Sequence, residues 1–113
     1  MWIVEGEPDA VAMRTLGLLG VGVPGAGSWK AAWNQFFWGR DVNILVDCDE
    51  PGRRLGVDVK RGVPHAVVID LDRTRSDGFD VGDLVAETRG VAGDLRCVRG
   101  LLEGMAASAR RTL

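Results

Sequence analysis

The chain has 113 residues, 46% of them hydrophobic, with 16 glycines and a net charge of −2, which suits one compact, turn-rich domain around a single core. This charge balance gives no broad basic footprint for nucleic acid, so any such contact is local, through a metal or a small patch. No apolar stretch approaches the ~20 residues of a membrane span, no signal peptide opens the chain and no low-complexity tract argues for disorder, so a cytoplasmic protein is expected. Cys48 and Cys97 form no CxxC pair, which disfavours zinc; both are expected as reduced core thiols rather than as a disulfide.

In chain order, Trp2 to Val4 reads as a short strand entered at once, which suggests a module cut from a longer protein. Pro8 suits the first turn of a helix, and Glu7 and Asp9 suit the positive end of its dipole. That helix carries Ala10, Val11, Met13, Leu16 and Leu18, with Gly17 marking its end. Leu19 to Pro24 follows as a second strand, and Ser28 is the expected cap of a helix holding Trp29, Trp33, Phe36 and Phe37. The spacing puts Trp29, Trp33 and Phe36 on one face, read as core, with base stacking on Trp29 or Trp38 as the alternative. Asp41 to Val46 is a third strand, Gly52 to Arg61 a helix, and His65 to Leu71 a buried fourth strand. Asp80 to Glu87 reads as a short helix with Leu84 and Val85 inward. The tail from Gly90 to Leu113 reads as one helix with Leu95, Val98, Leu101, Leu102 and Met105 as its stripe, fraying from Ala107. Strands alternating with helices at short spacing indicate an α/β fold with a mainly parallel sheet.

Acids cluster where strands end: Glu5 to Asp9 after the first, Asp47 to Glu50 after the third, and Asp77, Asp80 and Asp83 after the fourth. If the first and third strands are neighbours, Glu5, Asp47 and Asp49 meet at a topological switch point. Carboxylates packed together raise one another's pKa unless a cation compensates, and oxygen donors without His or Cys suit Mg²⁺ or Mn²⁺. Alternation sends Asp47 and Asp49 to the same side and Cys48 into the core. Each acid also has a plainer reading: Asp47 or Asp49 as a helix cap, Glu7 and Asp9 as first-turn acids, Asp80 as an N-cap. Arg53, Arg54, Lys60 and Arg61 form either a solvated face or a phosphate contact. Gly20 to Gly25 spells GxGxxG, but it follows a helix and contains the strand itself, so it is rejected as a dinucleotide fingerprint. The amides of Gly25 to Ser28 remain a candidate phosphate contact.

Val4-Glu5-Gly6-Glu7-Pro8-Asp9, then Asp47-Cys48-Asp49 with Pro51-Gly52-Arg53, then Asp80-Val81-Gly82-Asp83-Leu84, together resemble the Toprim domain, closest to the branch in DnaG-type and phage or plasmid primases. The resemblance covers residues 2 to 87. It implies a three-layer α/β/α, Rossmann-like fold with a four-stranded sheet in order 2-1-3-4, residues 1–89 forming the domain and 90–113 a C-terminal helical extension. It implies Glu5 as acid or base and metal contact, Asp47 and Asp49 as metal ligands, and Asp80 and Asp83 as ligands of a second metal. It also implies Asp9, Arg53, Arg54 and, as a further basic position, Lys60 near nucleotide or phosphate. In DnaG-type primases the last segment usually reads DPD; here Gly82 stands where the second aspartate would be.

The function this implies is Mg²⁺- or Mn²⁺-dependent nucleotidyl transfer of the primase type in DNA replication, incomplete without a template-binding domain. DNA or RNA, nucleoside triphosphates and a helicase or other primase domains would be its partners. Two alternatives stand beside it: a small Toprim nuclease cutting DNA or RNA, and a non-catalytic module docking a replication protein through the apolar tail helix.

Overall fold

The structure is a computed structural model that describes residues 1–89 and 95–112. Four strands, β1 (Trp2–Glu5), β2 (Gly20–Val23), β3 (Asn43–Val46) and β4 (Val67–Asp70), form one sheet in the order β2-β1-β3-β4. Every pairing is parallel. Between and after them run α1 (Glu7–Thr15), a 3₁₀ helix (Ala31–Phe37), α2 (Glu50–Gly62), α3 (Val81–Arg89) and α4 (Leu95–Arg111). The α/β class, the parallel sheet and its 2-1-3-4 order are those expected. Of the tail helix expected over 90–113, residues 90–94 and 113 lie outside the described residues.

Strand alternation divides the interior into two layers. Trp2, Val4, Leu45, Val67 and Ile69 face α1, α3 and α4, where Met13, Val81, Val85, Val98 and Leu102 meet them. Ile3, Ile44 and Val46 face α2 and the 3₁₀ helix, packing on Leu55, Val59, Val63 and Phe37. Helices on both faces explain why the strands read as unbroken apolar runs. The chain leaves β1 toward β2, then crosses back past β1 to reach β3. The order therefore reverses between β1 and β3, and the crevice at their carboxyl ends is where an open α/β sheet admits a ligand. Among the described residues no helix is long and apolar enough to cross a membrane.

Several glycines make this packing possible. A Cβ on Gly22 would lie 2.7 Å from the backbone oxygen of Gly6, and one on Gly20 would lie 2.8 Å from Met13. The glycines of the GxGxxG string thus let α1 lie close over the edge strand.

Four expectations are corrected. The aromatic segment is a 3₁₀ helix beginning at Ala31, not an α-helix capped by Ser28, whose hydroxyl instead bonds the Gly25 carbonyl. At three residues per turn Asn34 and Phe37 share a face, so Phe37 is buried and Phe36 is 62% exposed. The tail does not fray from Ala107, because Arg110 donates to Asn43 Oδ1 at 2.6 Å and anchors the helix to β3. Cys97 is exposed and only Cys48 is a core thiol; both are free. Finally, α4 buries Val98, Leu102 and Ala106 in the core shared with β1 and β4. Leu101, expected in the same stripe, is instead exposed.

Leu102→Ala should therefore lower unfolding stability by about 2–5 kcal/mol, whereas Leu101→Ala should change it by about 0.5 kcal/mol or less. Urea unfolding followed by circular dichroism measures both; equal small effects would make α4 a dispensable appendage.

Candidate metal centre

At the β1 and β3 ends the backbone delivers acids from three directions. Gly6, at φ 82°, makes the sharp turn from β1 into α1 and serves as its N-cap without a side-chain bond. Pro8 then occupies the first turn, and Asp9, one residue on, points back over the sheet edge, only 4% exposed. Beyond Val46, the chain forms a bridge with a distant segment: Cys48 N–H donates to Phe79 O, and Gly78 N–H to Cys48 O, each at 2.9 Å. This bridge brings Asp80 beside Asp47. The result is a trio, Asp9, Asp47 and Asp80, each offering a carboxylate oxygen within 4.8 Å of the others, a grouping that could hold a metal ion.

Asp49 is not in that trio. The Asp49 N–H donates to Asp47 O at 2.8 Å, closing a turn over Cys48 that ends the strand's alternation. Cys48 is buried as expected, but the aspartates on either side of it part company. Asp49 Oδ1 accepts the Gly52 N–H at 2.7 Å and caps α2, realising the plainer reading for this residue. Its charge still acts on Glu5. Glu5 Oε2 is buried with no hydrogen-bond partner, a position that normally calls for a donor or a cation.

Asp80 and Asp83 form a reciprocal cap at the start of α3. Asp83 N–H donates to Asp80 Oδ1 at 2.8 Å, and Asp80 N–H to Asp83 Oδ2 at 3.1 Å. Asp80 both caps the helix and joins the trio, while Asp83 is exposed and stays outside it. Gly82 has a structural consequence here: a Cβ there would stand 3.1 Å from Asp80 Oδ1 and 3.5 Å from Asp9 Oδ1. Its absence leaves room beside the acid pair.

The basic candidates are placed elsewhere. Arg53 donates from Nε to Asp70 Oδ2 at 2.8 Å and from Nη2 to the carbonyls of Asp72 and Arg75. It ties the loop after β4 to α2 and so positions the segment that bridges Cys48. Arg54 makes an exposed pair with Glu50 on the first turns of α2, a contact of little energetic weight. Lys60 donates to the Pro64 and Ala66 carbonyls at the far end of α2, beside the start of β4, away from the acids. Asp9, expected near nucleotide, sits in the trio. The signal for it was present in the sequence: an acid directly after a first-turn proline, at a helix start next to the switch point.

Burial raises the Asp47 pKa to about 8, with Asp9 and Glu5 adding repulsion. Burial likewise raises Asp9 to about 7, reinforced by Asp80, and it raises Glu5, with Asp49 adding to it. Asp47 is the member that feels both Glu5 and Asp9, and so links the two sides of the cluster.

No protein-family model matches the chain. It is similar to the Gene 57 protein of Mycobacterium phage D29, at 43% identity over 86 residues, covering 75% of this chain and 54% of that protein. The chain thus spans about half the length of this curated relative.

A carboxyl whose folded pKa lies above its unfolded value contributes stability that is complete below the unfolded value and is lost as pH rises through the folded one. For Asp9 and Asp47 that window runs from about 4 to about 7 and about 8. In chelator, the melting temperature should fall as pH is raised from about 5.5 to about 8.5. Asp47→Asn should remove most of the fall, and Mg²⁺ should restore the wild type but not the variant. Scanning calorimetry checks this, and a flat wild-type profile with no metal response contradicts it.

Proposed function

We propose that the chain is a Toprim-type domain that holds Mg²⁺ or Mn²⁺ at its acidic cluster and serves nucleotidyl transfer of the primase type in phage or plasmid DNA replication. The observation that carries this reading is the trio of Asp9, Asp47 and Asp80 within 4.8 Å, at the carboxyl edge of β1 and β3, with the unpartnered Glu5 oxygen beside it. All the donors are carboxylate oxygens, the donor set that fits a small hard dication. The order of Glu5, Asp47 and Asp80 along the chain, each after a strand, supports the Toprim assignment.

Asp9, Asp47 and Asp80 would hold the ion, with Glu5 completing the set. Bound there, the ion supplies charge neutralisation for a phosphoryl centre and activates an attacking oxygen. The chain's own part is positional and protonic. Asp80 is fixed by its cap and by the bridge next to it, so its free oxygen has little freedom to turn away. Asp9 is held by α1, whose N-terminal dipole favours its charge. Glu5, where the ion does not hold its carboxylate, has a pKa raised by burial and by Asp49 and can take or deliver a proton. Arg53 keeps the loop after β4 in place, and through it the position of Asp80.

Templated ribonucleotide incorporation on single-stranded DNA in Mn²⁺ tests the reading, using both this chain and the longer protein that contains it. Asp47→Asn should lower incorporation by about a hundredfold or more, while Arg54→Ala, altering an exposed pair, should leave it within about threefold. Metal-dependent cleavage without incorporation would make the protein a nuclease, and neither activity with metal bound would refute both.

A further inference from the structure

The acids account for one end of the sheet; a different chemistry lines the free edge of β2. The chain has four Trp, three Phe and no Tyr, and five of these seven rings fall within ten residues, at Trp29, Trp33, Phe36, Phe37 and Trp38. The stretch from Pro24 to Arg40 carries Lys30 and Arg40 and no acid, in a chain whose net charge is −2. Folding consumes only part of this surface: Phe37 is buried, whereas Phe36 is 62% and Trp38 69% exposed.

The exposed rings stand on a fixed base. Trp29 and Trp33 meet edge to face at 5.4 Å, and Trp29 lies 5.6 Å from Phe37. Trp29 Nε1 donates to Asn34 Oδ1 at 2.7 Å. A groove of about 400 Å³ opens between Val21, Val23, Trp29, Trp33, Phe36 and Arg40, large enough for a planar ring system. Cations flank it. Lys30 Nζ stands 5.7 Å from the Trp33 ring centroid. Arg40 is exposed and makes no hydrogen bond or ion pair among the described residues. Val23, on its wall, pairs in register with Glu5 at the end of β1.

Flat apolar rings interleaved with cations that no carboxylate pairs among the described residues match a polyanion whose own rings are accessible. A duplex hides its bases, and an aliphatic partner would leave the cations unmatched. We propose that this groove binds single-stranded nucleic acid, with bases stacked on Trp33 and Phe36, Trp38 extending the platform, and phosphates held by Lys30 and Arg40. That the bound strand is the one processed at the acidic cluster rests on the proposed function; the binding itself does not.

Fluorescence anisotropy of a labelled oligothymidylate, measured with the whole chain in chelator, tests the groove without involving the metal. Because no metal is present, failure of the metal reading leaves this result intact, and Arg54→Ala, outside the groove's lining, should bind as the wild type does. Phe36→Ala with Trp38→Ala, both exposed and checked for unchanged circular dichroism, should weaken binding about tenfold or more. An abasic oligomer of the same length should lose a similar factor with the unaltered protein. Arg40→Ala should reduce the slope of log affinity against log salt by about 0.7. Equal affinity for normal and abasic strands, or full affinity in the double variant, overturns the proposal. So does self-association that the double variant abolishes while no oligomer binds, which would assign the groove to a second copy of the chain.

Discussion

Holding Asp9, Asp47 and Asp80 within 4.8 Å of one another is the constraint on which the rest of the site depends. Two ionised carboxylates at that separation repel by about 3 kcal/mol at an effective dielectric near 20. The cap that Asp80 makes on α3 offsets only about 1 kcal/mol. The principal groups acting on Asp47 are themselves acids, Asp9, Glu5 and Asp80. Such a cluster is relieved either by protons, which the raised pKa values express, or by a cation, which the unpartnered Glu5 oxygen invites. The fold sets up this tension at the one place where its sheet order reverses.

The acids are held against their repulsion by contacts remote from them. Backbone bonds between Cys48 and the Gly78–Phe79 pair stitch the end of β3 to the approach to α3. Arg53, bonded to Asp70 and to two loop carbonyls, keeps that approach from drifting. The close passage of α1 over β2, made possible by Gly20 and Gly22, sets the height of Asp9 above the edge. None of these contacts touches the centre of the cluster, yet each decides where an acid stands.

The α/β class and the meeting of Glu5 with Asp47 were legible in the sequence, because buried parallel strands read as short apolar runs and the residue after each run must emerge at the sheet edge. Asp80 was legible only as one of several acids in the segment after the fourth strand, because the bridge that carries it to Asp47 is non-local. The exchange of Asp49 for Asp9 was not, since it turns on one backbone bond over Cys48 and on a bridge to Phe79, and non-local pairing leaves no periodic mark. Arg53 looked like a phosphate contact because its partner, Asp70, lies 17 residues on. The aromatic stripe misled through its period: 3.6 residues per turn puts Phe36 inside, and the three per turn of the 3₁₀ helix put Phe37 there.

One cation site and a strained group of protonated carboxyls are the two states open to these acids. Anomalous diffraction from a crystal soaked in Mn²⁺ distinguishes them most directly. A peak between Asp9, Asp47 and Asp80, in contact with Glu5, is the predicted result; a trio without a peak, or manganese bound only at other acids, would contradict the account.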